Sequence, residues 1–314
     1  MQAHWEGPAM ENSLQRATLV LPVVSVGNAG KGWQPRVLVA PAAVYEQPLE
    51  LVANISLLPS LSFRAGQLAA DLLINTLQLP RVARLQDDAL LQAVGAQPYS
   101  HAPGLATAFE LYQRQPGDVA VAQQRAPAAP GTQAAFAERL AAFVKEAGVK
   151  EVLVLGSIEA TQRRDEQLAG PQLRCWAAGS DAQPGSSAGT GSAGGDAAGG
   201  TAELLLERCR GAAGAPLLEA SFWQGLPLEA RCLPPWPLLR ALRSAGVPTA
   251  ALLCFSSEGD NVADGLMVAT AAAAATGLQG GGAAAGDAAE TAAAGQWVAP
   301  PGWQHLYGTT SAVY

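Results

Sequence analysis

The sequence predicts an α/β fold, a three-layer sandwich around a mostly parallel central sheet, formed by residues 1–314 as one domain. Two kinds of pattern and their order along the chain carry that expectation. Apolar, β-branched runs such as "ATLVLPVVSV" (17–26), "KEVLVLGS" (150–157) and the start of "VPTAALLCFSSEGDN" (247–261) have the continuous hydrophobicity of strands buried on both faces. Helical spacing follows or separates them at 66–78, 132–149 and 234–246. Helix and strand therefore alternate, the rhythm of a layered α/β domain.

The individual elements follow from the same patterns. Leu68, Leu72, Leu73 and Leu77 fall on one helical stripe that Pro80 stops, which predicts an amphipathic helix over 66–78. "RVARLQ" (81–86) reads as a strand, and "FELYQR" with "DVAVAQQR" (109–125) as a hairpin turned at "QPGD". Phe136, Leu140 and Phe143 mark the next helix, with Gly148 as its cap. A further helix, "PPWPLLRALRSAG" (234–246), is capped by Gly246. Two stretches have little to bury: 179–201 is expected to be a disordered loop, and 278–295 an Ala/Gly-rich loop after a helix.

Composition narrows the function. A hydrophobic fraction of 49% fits a globular chain, and a net charge of -7 with no basic and aromatic cluster argues against nucleic-acid binding. The N-terminus lacks the apolar core of a signal peptide, and no apolar run reaches the roughly 18 residues of a membrane span. The expectation is a protein of the cytoplasm and nucleus. Cys175, Cys209, Cys232 and Cys254 are too dispersed for a C-x-x-C pair, and His4, His101 and His305 are isolated. They predict reduced structural thiols and no metal site.

Three spots could carry chemistry. Gly27-Asn28-Ala29-Gly30 sits where α/β folds cradle phosphate, but it lacks a P-loop lysine and the G-x-G-x-x-G spacing, so a tight structural turn is expected. Glu258, Asp260, Asn261 and Asp264 follow a strand and could hold a cation; without a nucleophile and histidine they read as a turn and helix cap. Ser157 lacks the G-x-S-x-G elbow of a hydrolase. No catalytic residue and no cofactor is predicted.

Four stretches together resemble the proteasome assembly chaperone 2 family. They are "LPVVSVGNAG" (21–30) joined to "GQLAADLLINTLQL" (66–79), then "GAQPYS" (95–100), then "VLVLGSIEATQRRDEQL" (152–168) with its polar residues Gln162, Arg163 and Asp165. The fourth is "FSSEGDNVADGLMVA" (255–269) with the tail "WVAPPGWQHLYGTTSAVY" (297–314). The resemblance implies a fold similar to purine nucleoside phosphorylases without their catalytic equipment. It implies a non-enzymatic subunit that heterodimerises with proteasome assembly chaperone 1 and promotes assembly of the 20S proteasome α-ring. Alternatives are a nucleoside-phosphorylase-like enzyme and a homo-oligomeric α/β binding module. Family chains end in a hydrophobic-tyrosine-any motif that docks on α-subunits. Here a flexible tail, 304–314, would offer Val313 and Tyr314, with the motif's last residue missing.

In the family pattern Gly30 and Gly66 are one glycine, and excising the 36 residues 31–66 restores "SVGNAGQLAADLL". Gly30-Lys31 can be encoded with a GTAAG splice donor and Ala65-Gly66 with a CAG acceptor, both in frame. The stretch therefore reads as a retained intron or gene-model error, with a genuine loop peculiar to this protein as the alternative; sequencing the transcript and finding only the long form would overturn the first reading.

Overall fold

A computed structural model describes residues 1–5, 18–22, 65–99, 101, 104–114, 119–177, 196–226, 235–278 and 297–305. The strands are β1 (Gln2–Trp5), β2 (Thr18–Pro22), β3 (Arg81–Gln86), β4 (Val94–Ala96), β5 (Leu105–Thr107), β6 (Phe109–Gln113), β7 (Ala120–Gln124), β8 (Glu151–Glu159), β9 (Leu173–Ala177) and β10 (Thr249–Ser256). The helices are α1 (Ala65–Thr76), α2 (Gln133–Glu146), α3 (Asp165–Leu168), α4 (Asp196–Gly211), α5 (Ala220–Gly225), α6 (Trp236–Ser244) and α7 (Val262–Thr276).

Eight strands form one sheet in the order β1-β3-β6-β7-β2-β8-β10-β9, and β4 pairs with β5 in a separate ribbon. The centre, β7-β2-β8-β10, is parallel. Antiparallel strands extend it on both sides: β6, β3 and β1 on one flank and β9 on the other. Strand β2 lies in the middle, with Leu19 opposite both Ala120 and Val152.

Side-chain alternation makes the three layers. Val152 and Val154 of β8 and Ala251, Leu253 and Phe255 of β10 pack with Phe136, Leu140 and Val144 of α2 and Leu239 and Leu242 of α6. The intervening Leu153, Leu155, Ala250 and Leu252 face the other way, against α1, α7 and Leu205 and Cys209 of α4. Expected strands 81–86 and 150–157 and the 109–125 hairpin stand where the sequence placed them, while the turn 115–118 lies outside the described residues. Gly148 and Gly246 follow their helices at φ 68° and 73°, as helix-terminating glycines do.

Two expectations change. Helix α4 begins at Asp196, inside the stretch expected to be loop (179–201), because Leu205 and Cys209 in its later turns are buried. Helix α1 is not amphipathic but enclosed: of its 12 residues all except Gln67 are buried, including Asp71, Asn75 and Thr76. A helix with no solvent face must satisfy its polar groups internally. Of the low-complexity stretches, 178–195 and 279–296 lie outside the described residues, as do 23–64 and with them most of the expected insert 31–66.

Small residues let α1 approach. A Cβ on Gly66 would stand 2.5 Å from the Leu155 carbonyl oxygen of β8, and one on Gly265 of α7 would stand 2.6 Å from Leu68 Cβ. Neither obstacle is a flexible side-chain tip. We expect Gly66→Ala to destabilise the protein by about 1–3 kcal/mol through overpacking, although alanine suits a helix better. Thermal unfolding would show a Tm lower by several degrees, and an unchanged Tm would refute the contact.

An ion pair joins the end of β3 to α2. Arg139 Nε donates to Asp87 Oδ2 at 2.8 Å and Nη2 to Oδ1 at 2.6 Å, while the Ala89 amide donates to Oδ1 at 2.9 Å. The Arg139 hydrogen bonds, opposed by burial and aided by the amide, hold the Asp87 carboxyl below its usual range. A carboxylate lowered on folding contributes stability above its unfolded pKa, about 3.9, and loses it as pH falls through the folded value. Arg139→Gln should therefore be less stable than the parent at pH 6–7, with the gap closing below about pH 4. A gap independent of pH in urea unfolding would exclude this pairing.

Candidate functional site

The polar residues that α1 buries converge with four other parts of the chain. Asp71 Oδ1 accepts from Tyr99 Oη at 2.5 Å, from Gln123 Nε2 at 2.6 Å and from Arg125 Nη2 at 3.3 Å. Its other oxygen accepts from Trp303 Nε1 at 3.0 Å. Arg125 Nη2 also donates to Tyr99 Oη at 2.8 Å. On β6, Glu110 accepts from Arg81 Nη1 at 2.9 Å and from Tyr112 Oη at 2.8 Å. Tyr99 meets Tyr112 edge to face at 5.4 Å and stacks on His101 at 5.8 Å. Gln67 and the β7 end exchange side-chain to backbone bonds, Gln67 Nε2 to Gln124 O and Gln123 Nε2 to Gln67 O.

The charges of the network balance. Asp71 and Glu110 face Arg125 and Arg81, two carboxylates against two guanidiniums. Burial raises Tyr99 well above its ordinary pKa and raises Tyr112 too, so both stay protonated and serve as donors. A carboxylate met by four donors is a structural hub rather than a free base.

Sequence reasoning did not find this hub. Its signals were slight: a lone aspartate in "LAADLLINT", and a tyrosine and a tryptophan inside two of the family-like stretches.

The residues that the sequence did single out are placed as follows. Gly27, Asn28 and Gly30 lie outside the described residues, as do Val313 and Tyr314. Gly66 is the second residue of α1, at the close approach to β8. Gln162 ends a 3₁₀ turn, Ala160–Gln162, and Asp165 opens α3. Between them, Arg163 donates to the carbonyls of Gln167 and Gly170 and lies over the Phe255 ring at 5.4 Å. Arg174 lies over the same ring at 5.7 Å and pairs with Glu219 at 3.3 Å, and Glu219 also accepts from Gln167. Arg163 thus braces its own loop.

Glu258 is exposed in the turn after β10. Asp260 Oδ1 accepts from the Val262 amide at 2.9 Å, capping α7. Asn261, the N-cap residue, donates to Ser257 O at 2.9 Å and Asp264 Oδ2 at 3.2 Å. Of these, only the Asp260 bond satisfies an amide of the first turn; the Asn261 side chain, as a donor, ties the turn together but makes no side-chain cap.

The thiols are no better poised for chemistry. Cys175, Cys209 and Cys254 are buried and free. Burial pushes Cys175 up to about 11 and the other two up to about 12, so all three are protonated at neutral pH. Cys232 lies outside the described residues. Among the described residues no group of three His, Cys, Asp or Glu side chains could hold a metal ion.

Breaking the hub should be costly. Asp71→Asn removes the charge facing Arg125 and turns one acceptor into a donor among donors, an expected loss of about 3 kcal/mol. Tyr99→Phe, which deletes one neutral donor, should lose about 1 kcal/mol. Urea unfolding of both variants checks the order; an Asp71→Asn protein as stable as the parent would contradict the hub.

Comparison with known proteins places this arrangement. The model of the PAC2 family matches residues 64–225, from just before α1 through α5. Curated proteins named proteasome assembly chaperone 2 align with 37% identity over 123 residues in Danio rerio (38% of this chain, 47% of that protein). The alignment is 36% over 141 residues in Nematostella vectensis (43% and 58%) and 31% over 134 residues in Homo sapiens (41% and 51%). The chain spans about half the length of the curated relatives it matches. Among solved structures, Pyrococcus furiosus PbaA, an archaeal homolog of proteasome-assembly chaperone, superposes with a TM-score of 0.52 at 12% identity, covering 93% of this chain and 92% of that one. A protein of unknown function from Thermoplasma acidophilum gives 0.50 at 13%, covering 93% and 89%. At such identities the structural likeness shows the shared α/β fold. The family match includes α1, β6, β7 and the loop braced by Arg163 and takes in just over half of the residues, and on that ground the chain belongs to the PAC2 family.

Proposed function

We propose that the protein is a non-enzymatic proteasome-assembly chaperone subunit that works by binding alone. In this reading it pairs with a second chaperone, proteasome assembly chaperone 1, and the pair holds proteasome α-subunits while the 20S α-ring forms, in cytoplasm and nucleus. The observation that carries it is the family membership, together with relatives that bear the name proteasome assembly chaperone 2. The chemistry of the described residues supports the same reading. The buried carboxylates are engaged by arginine, tyrosine, glutamine and tryptophan, and the buried thiols are protonated. In this reading a C-terminal tail with Val313 and Tyr314 adds a contact to the ring.

The reading includes the insert. Helix α1 begins Ala65-Gly66, and the sequence before the insert ends Ala29-Gly30, so excising 31–66 returns the same two residues to the first helical turn. The glycine that the Leu155 carbonyl demands would still be a glycine. The insert also carries apolar stretches such as "RVLVAPAAVY" (36–45), whose exposure would favour aggregation.

Co-expression with a candidate partner chaperone tests both parts, using the full-length chain and a form lacking 31–66. We expect the shortened form to co-purify with the partner and to capture proteasome α-subunits, with more soluble protein than the full-length form. Two folded forms that capture nothing would overturn the chaperone reading. Self-association without a second chain would favour a homo-oligomeric module, and phosphate-dependent nucleoside cleavage a nucleoside-phosphorylase-like enzyme.

A further inference from the structure

We propose that residues 297–303 form a detachable strap, closed over α1 and α7, that opens as a unit while the α/β body stays folded. The strap is held through side chains. Trp297 Nε1 donates to Thr270 Oγ1 of α7 at 2.9 Å. Asn75 and Thr76, adjacent on α1, take both backbone groups of one residue: Asn75 Nδ2 donates to Val298 O at 2.9 Å, and Val298 N donates to Thr76 Oγ1 at 3.0 Å. At the far end Trp303 Nε1 reaches Asp71 Oδ2 at 3.0 Å. The Trp303 amide bonds within the strap, to Pro300 O at 3.0 Å. Among the described residues no backbone ladder joins strap to body, in contrast to the paired strands beneath.

Burial agrees with this division. Val298, Ala299, Pro301 and Gly302 are exposed, Trp297 and Trp303 are half-buried, and Pro300 alone is fully buried. Segments with few buried apolar contacts and side-chain anchors lie at the low end of local stability. Opening also leaves the body intact, because Asp71 retains Tyr99, Gln123 and Arg125 when Trp303 leaves. Asn75 Oδ1 has no hydrogen-bond partner even with the strap closed, so opening gives that amide water it lacks.

An open strap uncovers polar groups of α1, Asp71, Asn75 and Thr76, and releases the already exposed Thr270 of α7. It also frees the residues after Trp303 from a fixed starting point. Only the use of that freedom, to carry the C-terminal residues to a partner, rests on the chaperone reading; the opening itself does not.

Hydrogen exchange of the full chain across a urea series below the unfolding transition tests the strap. We expect the Val298 amide to exchange about 100-fold faster than the Val152 and Val154 amides of β8, through an opening that urea barely affects. Thr76→Val removes the acceptor of that amide and should speed its exchange about tenfold. Trp303→Phe, at the other end, should speed Val298 by a similar factor if the strap opens as a unit, with β8 changed less than twofold. Val298 exchange that tracks β8 at every urea concentration would overturn the proposal, as would a Trp303→Phe protein whose Val298 exchanges at the parental rate. Should either variant fail to fold, the parental urea series decides alone. Since α-subunit capture is not measured, loss of the chaperone reading would leave this result standing, and the reverse.

Discussion

Because helix α1 is enclosed between the central strands and helix α7, it is constrained twice, by space at its amino end and by charge in its middle. The Leu155 carbonyl admits no Cβ on residue 66, and Gly265 lets α7 close on Leu68. These approaches bury the helix, and Asp71 finds its partners in protein. Desolvating a carboxylate costs several kcal/mol unless charge and donors replace water. Arg125 supplies the charge, and Tyr99, Gln123 and Trp303 complete the set.

That requirement links remote parts of the chain. Tyr99 lies beyond β4, Gln123 and Arg125 at the end of β7, and Trp303 near the C-terminal end of the described chain. Each donor fixes the segment that carries it relative to α1, so one buried charge registers the loop after β4, the end of β7 and the strap against that helix. The four donors are not equivalent. Tyr99 and Gln123 are buried in the core, whereas the Trp303 indole is half-buried on a segment anchored to the body through side chains. The hub is firm toward the body and weak toward the strap, a gradient of local stability within one hydrogen-bonded cluster.

Much of this fold was legible in sequence because strands buried on both faces leave an unbroken apolar record. "KEVLVLGS" and "VPTAALLCFSS" announce β8 and β10, and the glycines that stop α2 and α6 stand just past their ends. Short edge elements left no such record. Strand β1, "QAHW", has four residues and owes its conformation to pairing with β3, and β4, "VGA", exists through β5. Strand β9, "LRCWA", has an arginine as its second residue that became intelligible only beside Phe255 and Glu219. The hub was invisible for a related reason. A lone aspartate on a helix usually faces water, and local periodicity cannot report that α7 covers the opposite side. Tertiary contacts, separated by up to 232 residues in the case of Asp71 and Trp303, decide the role of such a residue.

The described part of the sheet's carboxyl edge also bears on what the protein can do. In open α/β sheets ligands bind where the parallel strands end and the chain turns away. Here Leu253 and Pro235 close on Gly156, near the end of β8, leaving 3.1 Å to Leu253 Cδ2 for any added Cβ. Beside it, Phe222 packs edge to face on Phe255 at 5.6 Å, and two guanidiniums cover the same ring. The arginines there are engaged by carbonyls, by Glu219 and by an aromatic face, and Asp260 of the following turn by the first amide of α7. Each change of partner there would uncover a charge or an amide of the first turn of α7. The same commitments tie β9, β10 and the start of α7 to their neighbours at this edge.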